Sequence, residues 1–226
     1  PTNMVDVWEP KERYLRALET TEGVALVEVT NRGTIDEPDV RFTVLRGTPL
    51  DAARGALEQT VRRILGLDVE PEPLRRLIEA ERRLAPMAVA LRGMRPPRFA
   101  GLFEAFGNVV PFQQVSLDAG VAIVGRLVQR FGKALEHDGR RFHAFPDARV
   151  VAEARLDRLR ACGLSLRKAE TLRRVAKALE SGEVTDEKLS SMSSSEALDY
   201  LTELQGIGRW SASLVLLRGL GRIDVF

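Results

Sequence analysis

The chain has 226 residues, room for one large or two modest domains, and 44% of them are hydrophobic, which excludes an intrinsically disordered chain. Its net charge is +2, so it is no polycation and any basic surface must be local. A single cysteine, Cys162, excludes an intrachain disulfide, a cysteine-rich zinc site and an iron–sulfur cluster, and suits a reducing compartment.

The stretch Pro1-Thr-Asn-Met-Val-Asp-Val7 has neither the basic nor the apolar region of a signal peptide. No apolar run is long enough to span a bilayer. A cytoplasmic protein with no membrane partner is the expectation. Only five of the 34 basic residues are lysines, and the arginine bias reflects genome composition as readily as phosphate binding.

Residues 24–30 (Val-Ala-Leu-Val-Glu-Val-Thr) and 40–45 (Val-Arg-Phe-Thr-Val-Leu) are rich in β-branched side chains, and Asn31-Arg-Gly33 supplies turn chemistry between them. They predict an antiparallel pair. Thr48-Pro49-Leu50-Asp51 then starts a helix, with a cap residue, a first-turn proline and an early acid. Ala53, Leu57, Val61 and Ile64 line one face of it. Residues 1–92 therefore read as a small mixed α/β unit.

The boundary falls at Gly93-Met-Arg-Pro-Pro-Arg98, where two prolines stop any helix. Residues 93–226 read as helical throughout, which makes the fold class α+β. Leu117, Val121, Val124, Val128 and Phe131 form one stripe; Ala169, Leu172, Ala176 and Leu179 form another. Ser193-Ser-Ser-Glu196 fits a capping box, and Ala197, Leu201 and Leu204 continue from it. His137 and His143 share no metal-ligand spacing and read as surface residues.

The most informative segment is Tyr200-Leu-Thr-Glu-Leu-Gln-Gly-Ile-Gly-Arg-Trp-Ser-Ala212: a helix, a tight Gly206-Ile-Gly208 turn and a second, apolar helix. Unpaired amides and the positive dipole end at the second helix's N-terminus suit an anionic phosphate, and glycines let it approach the backbone. Arg209 adds a formal charge beside the turn. An ordinary helix–helix turn is the competing reading.

Leu201-x-x-Leu204-x-Gly206-Ile-Gly208-Arg-Trp-Ser-Ala212 resembles the helix-hairpin-helix of the base-excision DNA glycosylase superfamily, and specifically its 3-methyladenine DNA glycosylase II branch. Three further stretches agree in order and spacing: Arg95-Pro-Pro-Arg-Phe-Ala-Gly-Leu-Phe-Glu-Ala105, Gln113-Gln-Val-Ser116 and Gly163-Leu-Ser-Leu-Arg-Lys-Ala-Glu-Thr-Leu172. Gln205 departs from the proline frequent in the family. Over residues 1–90 the resemblance rests on arrangement alone, since this branch carries a small α/β domain there.

The resemblance implies a monomeric hydrolase that removes alkylated purines, chiefly 3-methyladenine, from double-stranded DNA. Gly206, Gly208, Arg209 and Ser211 would contact the backbone, with Gln113, Gln114 and Ser116 in the intercalating loop and Gln114 as the wedge. No cofactor is required, although the carbonyls of Thr202, Leu204 and Ile207 match positions that hold a monovalent cation (sodium or potassium) in the superfamily. Arg167 and Lys168 match a basic pair that either touches phosphate or forms a solvated face.

Trp210 stands where superfamily members that also cleave the backbone place a lysine, which implies a glycosylase without lyase chemistry. As a base-pocket residue its indole would stack on an electron-poor alkylated purine; the alternative places it in the core. Trp8 and Tyr14 are weaker candidates for aromatic pocket surface. The family's catalytic aspartate is expected beyond Phe226, and Asp224 falls too early to replace it. A helix-hairpin-helix module that binds duplex DNA without catalysis is therefore the second reading.

Overall fold

The computed structural model describes residues 5–10, 13–35, 37–47, 51–69 and 93–226, with scattered positions between 76 and 91. The N-terminal unit is an antiparallel meander of β1 (Asp6–Glu9), β2 (Arg13–Thr20), β3 (Gly23–Asn31) and β4 (Val40–Arg46), paired in chain order. The expected pair is β3–β4, with Val27 opposite Val44 and Val29 opposite Phe42. Strands β1 and β2 were hidden in the sequence. Arg13–Thr20 is composed mainly of good helix formers, and its unbroken ladder to β3 overrides that preference.

Helix α1 (Asp51–Leu65) covers one face of this sheet. Leu57, Val61 and Ile64 meet Tyr14, Leu18, Ala25, Val27 and Val29, the residues that a period of two places on that face. The Thr48-Pro49-Leu50 start expected for this helix lies outside the described residues.

The rest of the chain packs as α2 (Leu102–Val109), α3 (Leu117–Phe131), α4 (Ala148–Ala152), α5 (Leu156–Arg160), α6 (Leu166–Glu180), α7 (Asp186–Ser190), α8 (Ser194–Thr202) and α9 (Arg209–Val215). A five-residue π-helical stretch, Leu216–Leu220, continues α9. Phe106, Leu127, Leu172, Leu201 and Leu216 are fully buried in their common core. Val124 and Val128 hold the stripe expected on α3, but Leu117, its first residue, is 67% exposed.

The helices are not continuous. A hairpin of β5 (Ala134–His137) and β6 (Arg140–His143) interrupts them, turning at Asp138-Gly139. Both turn residues have positive φ, 49° and 70°, as a two-residue hairpin matched to strand twist demands. His137 and His143 lie on these strands and are half-buried rather than on the open surface. Burial, with Arg141 nearby, lowers the pKa of His143.

This hairpin closes the second face of the N-terminal sheet, where Phe142 and Ala144 pack on Leu15, Ala17 and Leu26. Covered on both sides, Tyr14 to Leu18 are buried without the alternation of a half-exposed strand.

Polar contacts join the two units as well. The buried Arg16 guanidinium donates through Nη2 to both carboxylate oxygens of Glu104, at 2.6 Å each, and through Nη1 to Asp6. Arg63 Nη2 reaches Asp186 Oδ1 at 2.9 Å. The proline-containing crossing is tied to both sides: Arg98 N–H donates to Ile64 O at 3.0 Å and Phe99 N–H to Arg218 O at 2.7 Å.

Candidate nucleic-acid interface

The glycine turn is built by the elements around it. Helix α8 begins at the expected capping box: Ser193 Oγ accepts from Glu196 N–H at 3.3 Å, and Ser193 N–H donates to Glu196 Oε2 at 2.8 Å. Leu201 and Leu204 are buried beneath the helix end. Ile207 N–H then donates to Leu204 O at 2.9 Å, which closes the turn, and buried Ile207 anchors it.

The two glycines have different work. Gly206 sits at φ +94°, and a Cβ there would lie 2.0 Å from Thr171 Oγ1 on α6. It is a contact glycine: the turn rests on the helix. Gln205 O receives Thr171 Oγ1 at 3.4 Å and Arg174 Nη1 at 2.9 Å, which ties the loop down beside it. Among the described residues, nothing lies within 4 Å of where a Cβ on Gly208 would stand. It is the N-cap of α9, with extended backbone and no side chain capping the amides that follow. Those amides carry the partial positive charge of a helix start.

Arg209 and Trp210 occupy the first turn of α9 and are exposed, Trp210 by 56%. The open alternative for Trp210 is thereby decided: it is not a core residue. The next residues, Ser211, Ala212 and Ser213, are buried. Ser211 is turned into the protein rather than standing open to a phosphate, and its Oγ accepts a hydrogen bond from Gln113 Nε2 at 3.0 Å.

Gln113 and Gln114 lie in a turn that precedes α3. Ser116 is the residue that caps α3, accepting Ala119 N–H at 3.3 Å. Gln114 is exposed and has φ +53°, a left-handed conformation uncommon outside glycine. Gln113 points the other way, donating from Nε2 to Gly206 O at 3.1 Å as well as to Ser211.

Of the basic pair, Lys168 is turned inward, its Nζ 2.9 Å from Pro111 O, and burial lowers its pKa. Arg167 is exposed. Thr171 and Arg174 support the turn but went unremarked in the sequence, where they look like ordinary residues of an amphipathic helix. Tyr14 is buried between the sheet and α1 with its hydroxyl on Asp6, so it offers no pocket surface; Trp8, 63% exposed, leans on its ring at 4.8 Å. A cavity of about 840 Å³ bordered by Leu18, Leu57, Phe103 and Phe145 lies elsewhere, and no hairpin residue lines it.

The comparisons with known proteins agree with this geometry. Residues 109–224 match the HhH-GPD superfamily base excision DNA repair protein family, and residues 2–100 match the AlkA N-terminal domain. A DNA-3-methyladenine glycosylase of Bacillus subtilis is 30% identical over 154 residues, 68% of this chain and 51% of that protein. The chain thus spans about half the length of the curated relatives it matches. The solved 3-methyladenine DNA-glycosylase of Archaeoglobus fulgidus superposes with a TM-score of 0.82 at 28% identity, over 98% of this chain and 72% of that one. An 8-oxoguanine glycosylase/lyase of Clostridium acetobutylicum has the same fold, with a TM-score of 0.76 at 17% identity over 99% of this chain and 71% of that one. The chain belongs to the HhH-GPD superfamily of base excision DNA repair proteins.

Proposed function

We propose that this protein is a monofunctional DNA glycosylase that extrudes alkylated purines, chiefly 3-methyladenine, from duplex DNA and hydrolyses their N-glycosidic bond. The observation that carries the reading is Trp210, an exposed indole two residues after the open Gly208 cap, at the place where a lyase would need an amine. The names of the Bacillus and Archaeoglobus relatives support the choice of substrate.

Each feature has a part in that chemistry. Base extrusion costs a few kcal/mol, so the protein must hold the backbone while it occurs. The uncapped amides after Gly208, with Arg209 beside them, supply an electrostatic anchor. Gln114 is suited to fill the vacated stack and hydrogen-bond the orphaned partner base. The indole then receives a cationic purine through stacking and cation–π attraction. That base departs with the glycosidic electron pair, which neutralises its own charge; water adds to the cationic sugar carbon and releases its extra proton to solvent. Little proton donation is needed for such a leaving group.

A monovalent cation at the carbonyls of Thr202, Leu204 and Ile207 fits the same reading. Leu204 O accepts only the Ile207 amide in the turn, and among the described residues no hydrogen bond outside the helices ends on the other two carbonyls. A cation bound there would add positive charge beside the phosphate anchor.

The test is release of free methylated purine from a methylated duplex by a chain that includes the aspartate expected after Phe226. Binding of duplex without base release would favour the non-catalytic module instead. Trp210→Ala should lower base release at least tenfold, the scale of one stacking or cation–π contact, while affinity for undamaged duplex stays within about twofold. Equal loss of both would make the indole a packing residue. Borohydride treatment during turnover should trap no covalent adduct, whereas a trapped complex would establish an amine nucleophile.

A further inference from the structure

The two parts that must act together on a duplex, the glycine turn and the Gln114 turn, lie 93 residues apart between Gln113 and Gly206, yet one side chain joins them. Gln113 Nε2 spends both protons across this gap, on Gly206 O at 3.1 Å and Ser211 Oγ at 3.0 Å. The turn carrying Gln113 is held from two other directions. Lys168 Nζ grips Pro111 O, and the Phe112 ring packs so closely on α3 that a Cβ at Gly120 would lie 2.3 Å from it. At the tip of this braced turn Gln114 is kept in the left-handed region, a conformation that persists only where its surroundings impose it.

We propose that Gln113 is a positioning residue, whose carboxamide couples the backbone grip of the hairpin to the placement of Gln114 in the base stack. The inference rests on the reading of the hairpin as a duplex anchor. Gln113 itself touches no DNA in this scheme. It sets the distance between grip and wedge, so that a bound phosphate at α9 puts Gln114 opposite one base step and not its neighbour.

The test uses a duplex containing an abasic-site analogue with 2-aminopurine next to it, whose fluorescence rises when the wedge unstacks it. Gln113→Glu keeps the shape but replaces the donor with an acceptor that faces Gly206 O. It should reduce the fluorescence response by roughly tenfold, the loss expected from one such hydrogen bond. Affinity for undamaged duplex should fall by a clearly smaller factor, the part owed to a carboxylate beside the phosphate anchor, and should stay within about twofold of wild type where the replacement is uncharged. Gln113→Met, which removes the donor without adding charge, should do the same if the glutamate disturbs folding.

The decisive arm repeats these changes in a Gln114→Gly background, which deletes the wedge side chain at a φ that glycine accepts. If Gln113 acts through Gln114, its substitution has no further effect there. An additive loss, or an equal loss of undamaged-duplex affinity, would show that Gln113 only holds the hairpin together and would overturn the inference. Wild-type protein that fails to bind duplex would overturn the anchor reading, and this inference with it.

Discussion

Glu104→Ala is expected to destabilise the protein by about 3–5 kcal/mol, the cost of leaving one member of a buried ion pair without its partner. Arg16 is 1% exposed and Glu104 4%, and their bidentate contact joins the sheet to α2. Burial disfavours the Arg16 charge, but Glu104 and then Tyr14 and Asp6 outweigh it, and the guanidinium stays ionised. Burial likewise pushes the Glu104 carboxyl up, against the pull of Arg16. Removing the carboxylate leaves the guanidinium with Asp6 and with an Nε that has no hydrogen-bond partner among the described residues. Since small proteins are stable by only about 5–15 kcal/mol, the midpoint of urea unfolding should fall by a large fraction. The paired replacement Arg16→Met with Glu104→Leu should recover most of the loss, because two apolar groups of similar volume need no partner. A double variant as unstable as the single one would mean that packing around α2, not the charge, sets the cost.

The second large effect separates the two hairpin glycines. Gly206→Ala should cost about 2–5 kcal/mol, the sum of an overpacked contact with Thr171 and a left-handed backbone at φ +94°. Gly208→Val should leave thermal stability nearly unchanged, since its backbone is extended and its Cβ points into open space. Its effect should fall on the duplex: affinity lower by about tenfold, and a salt dependence shallower by about one counterion, since a branched side chain denies phosphate the amides behind it. Unchanged duplex affinity in Gly208→Val would reduce the hairpin to a structural turn.

That contrast was beyond the reach of the sequence, where Gly206 and Gly208 are the same letter two places apart. What distinguishes them is a neighbour 35 residues upstream, Thr171, on a helix whose own pattern is unexceptional. Ser211 shows the same limit. Its position beside the turn suggested a hydroxyl for phosphate, and only the placement of Gln113 reveals that it is turned inward. Features set by local chemistry were legible: the Ser193 capping box, the Gly208 start of α9, and the β3–β4 pair with its β-branched run. The Asp138-Gly139 signal was also local, but its strands are only four residues each and were masked by the helical pattern around them. Strand β2 was a harder case, because Leu, Ala, Arg and Glu favour a helix until two layers close over the sheet. Exposure of Trp210 follows from phase: at the second position of α9 it precedes the point where that helix enters the core.

The sheet that opens the chain has one face completed by its own helix and the other by a hairpin more than a hundred residues later. On the ribosome, the early strands must therefore wait, with Leu15, Ala17 and Leu26 bare, until Phe142 and Ala144 emerge. A chain released before that point would carry an oily, strand-bordered surface, the kind that recruits chaperones or seeds precipitation. For the same reason the two units should melt in a single step, and an isolated N-terminal half should prove sticky when expressed alone.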